Sequence, residues 1–154
     1  MTAGTLFPQL NGYGLTAESL SPLAVTYHTF RVAGPSASAP ARAEASDLAK
    51  AGNRLLFPNL SEDLLAAMVV FAPMAADPIK LRFTARDRQG NLAGSTEIQL
   101  QPGGPIAFLV NNLFPNLPET ASVSVEAKVG EKLTGSLFLF GRQGHPATLE
   151  AARL

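Results

Sequence analysis

The chain has 154 residues, 46% of them hydrophobic and 16% charged, which is enough apolar material for a core and too little charge for a disordered segment. Its twelve basic and twelve acidic residues cancel and lie scattered. That excludes the clustered cationic surface that nucleic acid or anionic lipid requires. Cysteine is absent, so disulfides, thiolate zinc sites and iron–sulfur clusters are excluded as well.

In chain order, Met1–Pro8 has neither the charged nor the apolar part of a signal peptide. A secreted form would carry its leader outside this numbering. Residues 1–32 read as an extended segment, with a turn at Asn11-Gly12-Tyr13-Gly14 and a strand over Ala24–Val32, rich in β-branched and aromatic residues. Residues 33–53 are small and contain proline, as in a linker, with a short helix expected over 42–50. Residues 54–154 are the dense part.

There, strands are expected at 65–72, 79–86, 92–100, 106–110, 121–128, 133–140 and 147–152, with a short helical turn over 111–117. In the second, Ile79, Leu81, Phe83 and Ala85 alternate with Lys80, Arg82, Thr84 and Arg86, the pattern of one buried and one wet face. Ile98, Leu100, Val123, Val125, Leu137 and Leu139 are expected to join that core. Asp87-Arg88-Gln89-Gly90-Asn91 has hairpin-loop chemistry, because Asp and Asn bond locally and Gly supplies positive φ. The apolar run 64–76 contains Pro73 and falls short of the roughly twenty residues of a membrane helix, so it reads as a buried strand. Seven short strands between Gly/Pro turns predict an all-β, immunoglobulin-like β-sandwich with an extended N-terminal segment.

One motif recurs: Leu6-Phe7-Pro8-Gln9-Leu10, Leu56-Phe57-Pro58-Asn59-Leu60 and Leu113-Phe114-Pro115-Asn116-Leu117. The spacing is too uneven for a solenoid. It reads either as a plug, with Phe buried and Pro ending the pairing, or as an incomplete second copy of the domain start.

Together with Met68-Val69-Val70-Phe71-Ala72-Pro73, Phe83–Gly90, Leu100-Gln101-Pro102-Gly103-Gly104 and Phe108–Pro115, the motif is similar to immunoglobulin-like repeats in large secreted or surface proteins of environmental bacteria. The resemblance covers about 54–154. Ala72-Pro73 stands where those repeats usually have Asn-Pro. The resemblance implies architecture and an extracellular or cell-surface location, without a chemistry.

Catalytic and metal-binding patterns are sparse. His28 and His145 lie on opposite sides of the linker, and neither has a second histidine at metal-ligand spacing. No nucleophile elbow, phosphate loop or dinucleotide fingerprint occurs. Glu62-Asp63 reads as a solvated loop, and Asp87 with Asn91, or Asp77 alone, lacks the alternating oxygens of a calcium loop. Asn59-Leu60-Ser61 fits the glycosylation sequon, as chance also produces. The expectation is a protein that is not an enzyme and carries no cofactor or metal.

Apolar surplus is the informative anomaly. Met68–Phe71, Ile106–Val110 and Leu137–Phe140 are apolar on both faces, and such surfaces are normally covered. The cover is either the chain's own residues 1–32 or another copy. The expected function is a structural, self-associating extracellular subunit assembled by strand addition, with no nucleic-acid partner and no membrane insertion. Its interface residues are Val25, Tyr27, Phe30, Val69, Phe71, Phe138 and Phe140. The alternative is a carbohydrate- or ligand-binding module, although tryptophan is absent and the only tyrosines are Tyr13 and Tyr27.

Overall fold

The computed structural model describes Leu20 and residues 26–29, 41–44, 51–60, 65–115, 121–140 and 147–154. The chain is all-β, with two antiparallel sheets packed over one core. The strands are β1 (Thr26–Thr29), β2 (Ala41–Glu44), β3 (Arg54–Leu60), β4 (Leu65–Phe71), β5 (Ile79–Arg86), β6 (Leu92–Leu100) and β7 (Ile106–Leu109). After the single-turn helix α1 (Val110–Leu113) come β8 (Ala121–Glu126), β9 (Thr134–Phe140), β10 (Ala147–Glu150) and β11 (Ala152–Arg153).

One sheet has the order β10-β9-β4-β7 and the other β11-β3-β8-β5-β6, while β1 and β2 form a separate antiparallel pair. Immunoglobulin order would put the first, second, fourth and fifth of the seven expected strands in one sheet. Here the first, fourth, sixth and seventh (β4, β7, β9, β10) share a sheet instead. The layering matches the expectation and the strand order does not.

The expected alternation is present. Leu81, Phe83, Leu100, Val123 and Val125 are fully buried, Ile79 and Leu137 nearly so, and Ile98 and Leu139 pack against them. Lys80, Arg82 and Arg86 are exposed. Phe83 of one sheet meets Phe108 of the other edge to face, ring centroids 5.9 Å apart. That geometry suits the aromatic quadrupole and ties the layers together.

The hairpin over residues 87–91 forms as its chemistry predicts. Gly90 takes φ 86°. The Asn91 backbone N–H donates to Asp87 Oδ1 at 2.8 Å, and Asn91 Nδ2 donates to Asp87 Oδ2 at 3.0 Å. The side-chain bond from Asn91 is the main cause holding the Asp87 carboxyl below its ordinary range. Both oxygens of Asp87 therefore serve the turn.

Three elements depart from the sequence reading. The motif at 56–60, expected as a plug or as part of an incomplete copy, lies in strand β3; Phe57 is buried as the plug reading expects, with Leu55 and Leu60 beside it in the core. Pro58 is accommodated because the register with β8 shifts between Phe57 and Leu60, a bulge where no ladder N–H is needed. The helix expected over 42–50 is a strand at Ala41–Glu44, and residues 45–50 lie outside the described residues. The last strand is split, so that β10 joins one sheet and β11 the other. Pairing also reaches into the expected linker, through the Gly52–Leu133 bridge and the bond from Ala127 N–H to the Asn53 carbonyl at 2.9 Å.

Candidate docking face

The two sheets present opposite outer surfaces. On the five-stranded sheet, the residues between the core positions form a charged ladder. Arg82 donates to Glu97 Oε1 from Nη2 at 3.0 Å and Nε at 3.2 Å, Lys80 contacts the same carboxylate, and Arg54 Nε lies 3.6 Å from Glu126 Oε1. The bond from Lys80, then that from Arg82, holds the Glu97 carboxyl below its ordinary range. Such exposed pairs add little stability, but they keep the surface wet.

On the four-stranded sheet the register fixes what points outward. Met68 opposite Leu137, and Val70 opposite Gly135, face the core. The alternate residues therefore form the outer face: Ala67, Val69 and Phe71 on β4, Ala107 and Leu109 on β7, and Phe138 on β9. Ser136 and Thr134 lie opposite Val69 and Phe71 at one end, and Glu150 of β10 lies opposite Ser136 at the rim, while β4, β7 and β9 themselves carry no charged residue. Ala67, Val69, Phe71 and Leu109 are half-buried, Ala107 is exposed, and Phe138 retains only 8% exposure.

Of the interface residues expected from sequence, Val69, Phe71 and Phe138 come together on this face. The backbone of Phe140, at the end of β9, pairs opposite Leu65. Tyr27 lies instead in the β1–β2 pair, opposite Ala43. Val25 and Phe30 fall outside the described residues, as does His145. Ala67, Ala107 and Leu109 belong to the face and were missed. The signal was available, since each alternates with a core residue of a run apolar on both sides.

Other candidate sites are thinner. Among the described residues no three His, Asp or Glu groups gather where a metal ion would bind, and no helix is long and apolar enough to cross a membrane. A shallow cleft at the β9–β10–β11 junction, lined by Leu55, Leu133, Thr134, Gly135, Glu150, Ala151 and Arg153, offers one acidic and one basic side chain.

No protein-family model matches the chain, and no curated protein matches it. A solved structure titled "Crystal Structure of Thermotoga maritima 1070" is similar over 68% of this chain and 96% of that one, with a TM-score of 0.57 and 12% identity. At that identity the likeness speaks for the fold alone, an all-β arrangement of two sheets.

Proposed function

We propose that the protein is a non-catalytic structural subunit that self-associates through the outer face of its four-stranded sheet, by adding the N-terminal segment of one copy to another. The observation that carries this reading is the asymmetry of the outer faces: ion pairs on one sheet, and on the other an apolar surface over β4, β7 and β9, with polar residues (Ser136, Thr134 and Glu150) only along its rim. A soluble monomer rarely leaves such a surface bare. The balanced charge permits copies to approach closely. An extracellular or cell-surface location, and kinship in layering with immunoglobulin-like sandwiches, belong to this reading as proposals resting on the resemblance described above.

The test is the molar mass in solution by size-exclusion chromatography with light scattering. The expected result is a mass above the 16.1 kDa monomer that rises with concentration. It should fall back toward the monomer when Val69→Lys puts a charge in the centre of the face. A monomer at every concentration for both proteins would refute self-association.

A further inference from the structure

Strand β6 is the anomaly among the sheet edges. The strand orders leave β6 and β11 at the ends of one sheet and β7 and β10 at the ends of the other. β7 and β10 have four residues each and β11 has two, and β2 runs beside β10. Short or covered edges are how a sheet avoids pairing with other chains. β6 instead has nine residues, with no proline and no lysine. Its one charge, Glu97, is already countered by Lys80 and Arg82 of its own sheet. Ser95, Glu97 and Gln99 are exposed along it, and the register shift beside Ala93 disturbs only its first residues.

The ladder fixes which backbone groups line this edge. Ser95 Oγ donates to the Phe83 carbonyl at 3.1 Å, so that carbonyl faces β6, where Thr96 is the register partner of Phe83. Phe83 and Thr96 therefore form a hydrogen-bonded pair. By alternation, the N–H and C=O groups of Ser95 and Glu97 point away from β5, toward the open side.

We propose that β6 pairs antiparallel with β6 of a second copy about a two-fold axis at Thr96, joining two five-stranded sheets into one. The strand matches itself in this register. Ser95 of one copy lies opposite Glu97 of the other, and the two exchange their outward backbone hydrogen bonds. Thr96 meets Thr96 in a non-hydrogen-bonded pair. On the core side, half-buried Ile98 of one copy meets Gly94 of the other, where no side chain stands beside the Phe114 ring. Moving the axis to Glu97 would set two carboxylates directly opposite, which is destabilising. Thr96 is also the middle of the strand, so its register gives the longest overlap. This self-match selects a second copy over a foreign strand as the occupant. The edge is separate from the apolar outer face, so the inference goes beyond the proposed function. An edge contact of this symmetry closes a pair, and a contact through the outer face would link pairs into chains.

The absence of cysteine makes the test direct. Across the axis, the two Thr96 Cα atoms would stand about 4.5 Å apart, within the span of a disulfide. The two Gln99 positions would be six residues out of register, about 20 Å. Under a mild thiol oxidant, Thr96→Cys is expected to form a disulfide-linked dimer at least about 10-fold faster than Gln99→Cys, because pairing raises the effective thiol concentration. Adding Glu97→Pro to Thr96→Cys removes an outward N–H that β5 does not use, and should cut linking to the Gln99→Cys rate. Ser95→Glu, which sets like charges opposite each other only in the pair, should do the same without touching the backbone. Val69→Lys, on the outer face, should leave linking unchanged, so failure of face-mediated assembly and failure of edge pairing are read apart. Equal rates for Thr96→Cys and Gln99→Cys would overturn the proposal. A foreign strand as the true occupant would leave the purified Thr96→Cys chain unlinked, and that result overturns it too.

Discussion

Replacing Phe83 with alanine is expected to cost about 3–5 kcal/mol of folding stability, the range for a large side chain removed from a packed core. Phe83 is fully buried at the middle of β5, between Thr96 of β6 and Val125 of β8. Its ring spans the layers to meet Phe108 edge to face. Truncation therefore removes the transfer free energy of the ring and also a contact that joins the two sheets. Neighbouring strands cannot close the gap, because ladder hydrogen bonds on both sides of β5 hold their spacing. Equilibrium denaturation in urea measures the loss directly. A cost below about 1 kcal/mol would contradict the register, since a slip by one residue exchanges the core and solvent faces of a strand.

Gly135→Ala is expected to destabilise by about 1–3 kcal/mol, through overpacking rather than a cavity. A Cβ there would lie 2.7 Å from Phe57 Cζ, 3.0 Å from Leu55 Cδ1 and 3.1 Å from the Val69 carbonyl oxygen. The first two atoms belong to buried side chains of β3 in the facing sheet. The third is backbone of β4, held by pairing with β9. Leu55 borders the cleft, but Phe57 is fully buried and the Val69 carbonyl is fixed by its ladder, so β9 must shift away from β3. Gly104→Ala is the natural control, because the nearest atom to its Cβ would be the Gln101 carbonyl oxygen at 3.8 Å. Thermal melts of the two variants should differ clearly; equal melting temperatures would mean that the sheets are not in close contact at Gly135.

The legible part of the fold was the part written in period two. Ile79 to Arg86 declared one wet and one dry face, and the structure places every one of those side chains on the expected side. The hairpin at 87–91 was equally readable, because Asp, Gly and Asn have local reasons to turn. Strand β3 was not, because Pro58 is a strand breaker by itself. Only the register shift against β8 makes room for it, and that shift is a property of two segments more than sixty residues apart. Strand order was hidden for the same reason. Alternation says which face is buried but not which neighbour a strand takes, and β3 and β11, the latter two residues long, gave little local signal.

The outer face was half legible. Runs apolar on both sides marked β4, β7 and β9, and Val69, Phe71 and Phe138 were identified from them. What could not be read was that these strands belong to the same sheet, while β5, β6 and β8, which carry Lys80, Arg82, Glu97 and Glu126, form the other. That segregation turns scattered apolar residues into one surface. Tyr27, expected on the same interface, sits in strand β1, paired with Ala43 of β2.

The central claim is that this apolar surface is covered by the N-terminal segment. Deletion of residues 1–32 tests it most directly, with molar mass and melting temperature read on the same sample. The remnant is expected to melt at a lower temperature than the intact chain and to aggregate or bind a hydrophobic dye, because Val69, Phe71 and Phe138 then face water. A soluble, monodisperse remnant with unchanged melting would contradict the claim, since the segment would then cover nothing.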